Sequence, residues 1–344
     1  VVIKIMKFQL CILLLFPFLT FSQLSDKVNV IYQELNSKSS IESQNIGYSG
    51  TESNSYKMYE ELDSIANDDE VLYMAQNGNN IVKGYLSAIL VDRKSKNLSQ
   101  LFTNYIKKDE RVHVQTGCTG YSSTIGGELY SYLFYQKEKL KFINATETGF
   151  EETKAYEKEI EGENFIKKYQ SRWTNHSIDS LLTQFNEVAI NYDSILPQTL
   201  DKIFRLNDYK FDNYKRVKYF ANKYPTREIM ATLANFRKKS DLSLFLKNID
   251  NALLSISRFP DKSFIQILEN KYETNTDNLD YYAAISSFCN DEVNKIKNNI
   301  YEKFVNSKDI FAQEYLQYFE ESLKKYNCEF NKELISKIEN SNNR

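Results

Sequence analysis

The side chains best suited to chemistry crowd into one stretch, HVQTGCTGYSSTIGGELYSYL, residues 113–133. Nucleophilic catalysis would need Cys118 or Ser122 beside a base and an orienting acid. His113 lies five residues before Cys118, so a base is near in sequence, which implies nothing about geometry. The run GYSST lacks the second glycine of a G-x-S-x-G elbow and the sheet that such an elbow requires. No lysine follows the final glycines, so this is not a phosphate loop, and the stretch does not spell G-x-G-x-x-G. Gly126 and Gly127, placed ahead of ELYSYLFY, would put backbone N–H groups at a helix N-terminus, an arrangement that binds anions where it is exposed. The expectation is a loop between two helices, with Cys118, Tyr121, Ser122, Gly126 and Gly127 as binding candidates and no residue assigned to catalysis.

Other chemistries have less to stand on. His113 and His176 are the two histidines, with no H-x-x-x-H spacing and no C-x-x-C partner, so a metal site is not expected. Nor does any motif call for a cofactor. Acidic pairs such as Glu60-Glu61 and Asp68-Asp69-Glu70 suit exposed helix starts and faces; a glycosidase would need two acids converging across a cleft. The formal charge is -2, with 44 basic and 46 acidic side chains mixed along the chain. Without a basic stripe to neutralise phosphates, nucleic-acid binding is not expected. The segments DYKFDNYKRVKYFANKY and EYLQYFEESLKKYN are Tyr-rich. Helical spacing of Tyr214, Val217 and Phe220 predicts mainly core, with some rings left for a partner.

These residues must be positioned by helices. Ten Gly and four Pro in 344 residues provide too little turn punctuation for a loop-rich or sheet-rich fold. Val28, Ile31, Tyr32 and Leu35 recur at the spacing of one buried helical face. Asn67 can cap a helix with Glu70 three residues on, and a bend at Gly78-Asn79 leads into a second helix that buries Ile81, Val82, Tyr85, Leu86, Ile89 and Leu90. Leu98, Leu101, Phe102, Tyr105 and Ile106 repeat the pattern. No segment joins period-two alternation to flanking turn signals, so the expected class is all-α.

The helices also recur in pairs. Phe236, Phe259 and Phe288 each end an apolar segment. A polar bend follows each, then a helix with apolar residues at Leu242/Phe245, Phe264/Ile267 and Val293/Ile296. Hairpins of this size cannot bury both faces alone and must stack on neighbours. The stretch DEVLYMAQNGNNIVKGYLSAILVDRKSKNLSQLFTNYIKKDERV resembles HEAT-type repeats. Asn79, Asn80, Val82 and Lys83 match the bend and second-helix start of that family, and Asp109 and Val112 match less closely. The resemblance covers residues 46–137, with weaker support over 226–305, and the usual repeat Pro and Arg are absent. The wider segment is similar to exported bacterial proteins carrying HEAT-like repeats. The spaced pattern of tetratricopeptide repeats is missing. What the resemblance implies is a right-handed α-α superhelix, an α-solenoid binding a protein or peptide partner on its concave face, without catalytic residues.

At the N-terminus, Lys4 and Lys7 precede the apolar run FQLCILLLFPFLTF, which Ser22 and Gln23 follow. That order suits a secretory signal peptide over residues 1–23, with Met6 as a candidate start. The run is shorter than the roughly 20 residues of a spanning helix, though an uncleaved anchor is the alternative. The expected location is bacterial periplasm or medium, with no transmembrane segment after cleavage. Cys118, Cys289 and Cys328 remain in the mature chain, with no spacing that says whether any two pair. The expected organisation is 24–150 as N-terminal repeats, 151–175 as a charged helical connector and 176–344 as C-terminal repeats. The expected function is an exported binding or scaffold module. An enzyme built on the Cys118 loop and a structural subunit of a cell-envelope assembly are the alternatives.

Overall fold

The computed structural model describes residues 24–149 and 173–342, with side chains as far as residue 141 in the first stretch. The expected leader, 1–23, and residues 151–172 of the expected connector lie outside the described residues. The chain divides into two compact units, one running to Thr199 and one from Leu200.

The first unit opens with α1 (Asp26–Asn36), which buries Val28, Ile31, Tyr32 and Leu35 as their spacing predicts. Then come β1 (Ile41–Ile46), β2 (Thr51–Glu52), α2 (Asn54–Ile65), α3 (Asp68–Asn77), α4 (Asn80–Asp92) and α5 (Leu98–Lys107). After β3 (Arg111–Gly117) and β4 (Thr119–Thr124) follow α6 (Ile125–Gly149), α7 (Asn175–Asn191) and the start of α8 (Pro197–Leu206). The capping box expected at Asn67 and Glu70 is present. Asn79 caps α4 by accepting from the N–H groups of Ile81 and Val82, which satisfies two donors that the helix cannot. The buried face of α4 is the expected one. Phe102 of α5 stacks on Phe185 of α7, ring centroids 3.9 Å apart, and α7 packs on α5 and α6.

The all-α expectation needs correcting. The protein is mostly helical, but four strands form a sheet in the order β2-β1-β3-β4, with β1 and β3 parallel and the other pairs antiparallel. Val112 and Val114 of β3 are buried while His113 is exposed, a period-two alternation too short to stand out by itself. The β1 sequence IESQNI is mostly polar. It is extended because β3 satisfies its backbone, and a partner so distant in sequence leaves no trace in local patterning. Within the HEAT-like resemblance, Val112 therefore begins a strand pair where the repeat pattern implies a helix.

The second unit contains α9 (Tyr214–Lys223), α10 (Arg227–Ala234), α11 (Leu242–Lys247), α12 (Ile249–Arg258), α13 (Ile265–Lys271), α14 (Leu279–Ser286), α15 (Asp291–Val305), α16 (Ala312–Lys324) and α17 (Glu329–Asn342). Alternate helices pack on one another: α10 on α12, α12 on α14 and α14 on α16, with α13 on α15 and α15 on α17. Phe236, Phe259 and Phe288 follow α10, α12 and α14, and Phe245, Phe264 and Val293 are buried behind the bends. A disulfide joins Cys289, between α14 and α15, to Cys328, between α16 and α17, with Cα atoms 5.4 Å apart. Val217 and Phe220 are core. The nearby tyrosine rings are occupied within the chain: Tyr214 donates to Asp241 Oδ1 at 3.0 Å and lies under Lys238, while Arg216 covers Tyr219. No helix of the described residues is long and apolar enough to cross a membrane.

Candidate functional site: a tyrosine-lined cleft

The segment from His113 to Leu133 is a β-hairpin running into a long helix, not a loop between helices. The register pairs Thr116 with Thr119, leaving Gly117 and Cys118 as a two-residue turn. Gly117 takes φ 55°, which glycine adopts without steric cost at the first position of such a turn. Cys118 is exposed at this tip. His113 pairs with Ser122, about 13 Å of strand from the turn at roughly 3.3 Å per residue. Cys118 and His113 therefore do not form a nucleophile and base.

The remaining candidates separate in the same way. Tyr121 and Ser122 are adjacent in β4 and so point to opposite faces. Gly126 and Gly127, expected at an exposed loop or anion site, are both buried in the first turn of α6. A Cβ on Gly126 would stand 2.6 Å from Ile106 Cδ1. The Gly127 N–H donates to Thr124 Oγ1 at 3.1 Å and the Ile125 N–H to the Glu110 carbonyl at 3.0 Å. These donors are satisfied within the chain, and the carboxylate of Glu128 occupies the same turn. Of the five candidates, Tyr121 alone lines the cavity described next.

That cavity, about 560 Å³, lies where the sheet faces α2, α4 and α6. Among the described residues six tyrosines line it: Tyr56 and Tyr59 from α2, Tyr85 from α4, Tyr121 from β4, and Tyr132 and Tyr135 from α6. Tyr59 stacks on Tyr85 with centroids 5.4 Å apart, and Tyr56 lies 5.3 Å from Tyr59. Tyr85 is pinned to β1 at both ends of one residue: its hydroxyl donates to the Glu42 carbonyl at 2.8 Å and accepts from the Glu42 N–H at 2.6 Å. Burial raises the phenols of Tyr59, Tyr85 and Tyr132. Next to burial, the charge of Asp92 acts on Tyr59 and that of Glu128 on Tyr132. These phenols are neutral, and present ring faces and hydroxyls without negative charge.

Among the described residues, charge in the lining comes from Glu42, Asp92, Glu128 and Lys139. Glu42 accepts from Ser40 Oγ at 3.1 Å and Ser53 Oγ at 2.6 Å. Ser123 Oγ donates to Glu128 at 2.5 Å, and Gln136 Nε2 to Asp92 at 2.6 Å. Such bonds fix each carboxylate in place, as a preorganised site requires. Local signals for these residues do exist: Glu128, Ser131, Tyr132, Tyr135, Gln136 and Lys139 fall at i, i+3, i+4, i+7, i+8 and i+11, one stripe of a helix. The helix that carries this stripe is expected from ELYSYLFY, but nothing in the sequence says that the stripe meets α2, α4 and the strands at one cleft. Among the described residues, no group of three or more His, Cys, Asp or Glu side chains could hold a metal ion.

No family model, curated protein or solved structure matches this chain.

Proposed function

We propose that this protein is a non-catalytic binding module that takes a peptide segment of its partner into the tyrosine-lined cleft of the first unit. The observation carrying this reading is the cleft itself. Its volume falls in the range of roughly 300–1,000 Å³ typical of ligand sites, and it combines aromatic walls with a few fixed polar groups. Tyrosine offers large contact area at low conformational cost, which favours recognition. The second unit serves as scaffold. Its alternation of helices, each packed on the next but one, supports the HEAT-like stacked-hairpin reading, in which each hairpin contacts only its neighbours. The Cys289–Cys328 bridge supports an exported protein of the periplasm or medium, since such bonds persist in oxidising compartments.

The test is selection from a random peptide library on the immobilised full chain, alongside the double variant Tyr121→Ala/Tyr135→Ala. Both rings are substantially exposed, 43% and 65%, so their loss leaves the core intact. Sequences enriched by the parent and lost by the variant support the cleft. Equal enrichment on both proteins, or none on the parent, overturns it.

A further inference from the structure

We infer that the partner peptide is extended and adds as a strand to the outer edge of β4, its main chain held by Gly120 and Ser122 and its alternate side chains, apolar or aromatic, directed to the cleft. The inference rests on the cleft being the ligand site. Two bonds set the phase of the sheet. The Ile125 N–H donates to the Glu110 carbonyl at 3.0 Å, and the Gly47 N–H to the Gly117 carbonyl at 3.0 Å. Even-numbered residues of β3 therefore bond to β4, and odd-numbered ones face β1. Bonded and non-bonded pairs alternate along an antiparallel ladder. In the register that pairs Val114 with Tyr121, Thr119, Tyr121 and Ser123 bond inward. The N–H and C=O groups of Gly120 and Ser122 point away from β3. Among the described residues nothing bonds to them, and the strand is exposed from Thr119 to Ser122.

The two edges of the sheet are built differently. β2 is two residues long, and the register of β1 against β3 shifts between Glu42 and Ile46; short and irregular strands blunt an edge. β4 runs for six residues, TGYSST, in unbroken register with β3 and without a proline or a charged side chain. An edge left bare in this way is a template for another chain. Two N–H and two C=O groups at strand spacing suit a polypeptide main chain, which supplies the complementary groups at the same spacing. Tyr121 lies between them and lines the cleft together with Val114 and Thr116 of β3. A residue opposite Tyr121 on the added strand stands about 4.5–5.5 Å away on the cleft side, where aromatic and β-branched pairs stabilise a sheet. On the other face a Cβ at Gly120 would meet the His113 ring at 3.1 Å, so side-chain selection falls to the cleft side. A second copy docked through the same edge would offer that side one large residue, Tyr121, between Thr119 and Ser123. A foreign peptide with larger alternate residues fits better.

The probe is a blocked hexapeptide, Thr-Val-Thr-Phe-Thr-Val, titrated calorimetrically into the full chain. Its counterparts carry Gly in place of Phe, N-methyl groups on the Thr amides, or N-methyl groups on the Val and Phe amides. The parent should bind the Phe peptide several-fold more tightly than the Gly peptide. With Phe on the cleft side, the Thr amides face β4. Methylating them should weaken binding about tenfold or more through lost main-chain bonds, and methylating the other set should not. Ser122→Pro removes one outward N–H at a place where an edge strand tolerates proline, and should weaken binding several-fold. Deuterium exchange at Gly120 and Ser122 should slow when the peptide binds. Failure of the Phe peptide to bind, or an equal response to the two methylation patterns, overturns the inference. If Tyr121→Ala/Tyr135→Ala weakens binding but methylation and Ser122→Pro do not, the cleft stands and the strand pairing is wrong. If methylation of the Thr amides matters and the tyrosine variant does not, the pairing stands and the cleft is wrong. A dimer that Ser122→Pro dissociates would show a second copy on the edge, and slow exchange in the free monomer would show the chain covering it; either overturns the inference. The methylated peptides decide even if Ser122→Pro fails to fold.

Discussion

Lys297 carries an amine into the core of the second unit, where its side chain is fully buried. The amine donates to the Phe288 carbonyl at 2.6 Å, to Asn331 Oδ1 at 2.7 Å and to Asn294 Oδ1 at 3.2 Å. Asn331, equally buried, passes its own N–H groups to the carbonyls of Ser286, Tyr326 and Leu323. The cluster thus ties the end of α14 to α15, α16 and α17, beside the disulfide. Burial pulls the amine down to about 8 from the ordinary lysine value of 10.5. Between those two values the unfolded chain binds more protons than the fold, so stability rises with pH across that window. Lys297→Met should abolish the rise. It should also cost about 1–3 kcal/mol at neutral pH by stranding buried acceptors. Denaturant melts at neutral pH and near pH 10 check both; a variant that keeps the rise would show that another group causes it. Nothing in DEVNKIKNN marks Lys297 as internal, because lysine faces water in most helices and two of its acceptors lie outside its own helix. The cleft tyrosines were hidden in a similar way. With 25 tyrosines in the chain, residue type could not single out the six that converge.

The elements show why the cleft has walls at all. Gly84 sits in the middle of α4, and a Cβ there would stand 2.1 Å from Ile41 Cδ1 and 3.0 Å from Ile41 Cγ1. The missing side chain lets β1 lie against the helix, next to the point where Tyr85 grips Glu42. Helix propensity alone predicts that Gly84→Ala stabilises by up to about 1 kcal/mol. Overpacking predicts a loss of about 1–3 kcal/mol, and the geometry favours the second. Thermal denaturation decides by sign: a more stable variant would contradict the close approach of β1 to α4. The strongly periodic α1 and the capped helices α3 and α4 are legible in sequence, down to the box at Asn67 and Glu70. The strands were not. β1 is polar and β2 is two residues long, so their extended form depends on β3, itself held by β4. For this reason the stretch around Cys118 reads as a loop in sequence, and of the five binding candidates it offers only Tyr121 lines the cleft.

Across the molecule, the two units draw on different reserves. The first has no disulfide among its described residues and relies on the apolar packing of α4 to α7. The second closes a loop of 39 residues' separation with Cys289–Cys328. A closed loop of that length removes chain entropy worth about 4 kcal/mol in the simple polymer account. Reduction, or Cys289→Ala with Cys328→Ala, should therefore lower the protection of second-unit amides by up to about that amount. Amides of the first unit should be unaffected. Hydrogen exchange read unit by unit makes the comparison, and an equal loss in both units would refute the assignment of the bridge to local stability.

Whatever depends on near neighbours could be read from the chain alone: helical content, the caps at Asn67 and Asn79, and the buried faces of α1, α4 and α5. Those signals lie within a turn or two of chain, where spacing and capping chemistry are sufficient. The sheet, the pairing of Cys289 with Cys328, the burial of Lys297 and the convergence of six tyrosines on one cleft emerged only in three dimensions. Each of these joins residues tens of positions apart. Their contacts are set by which hydrophobic faces pack together, and a linear pattern does not encode that geometry.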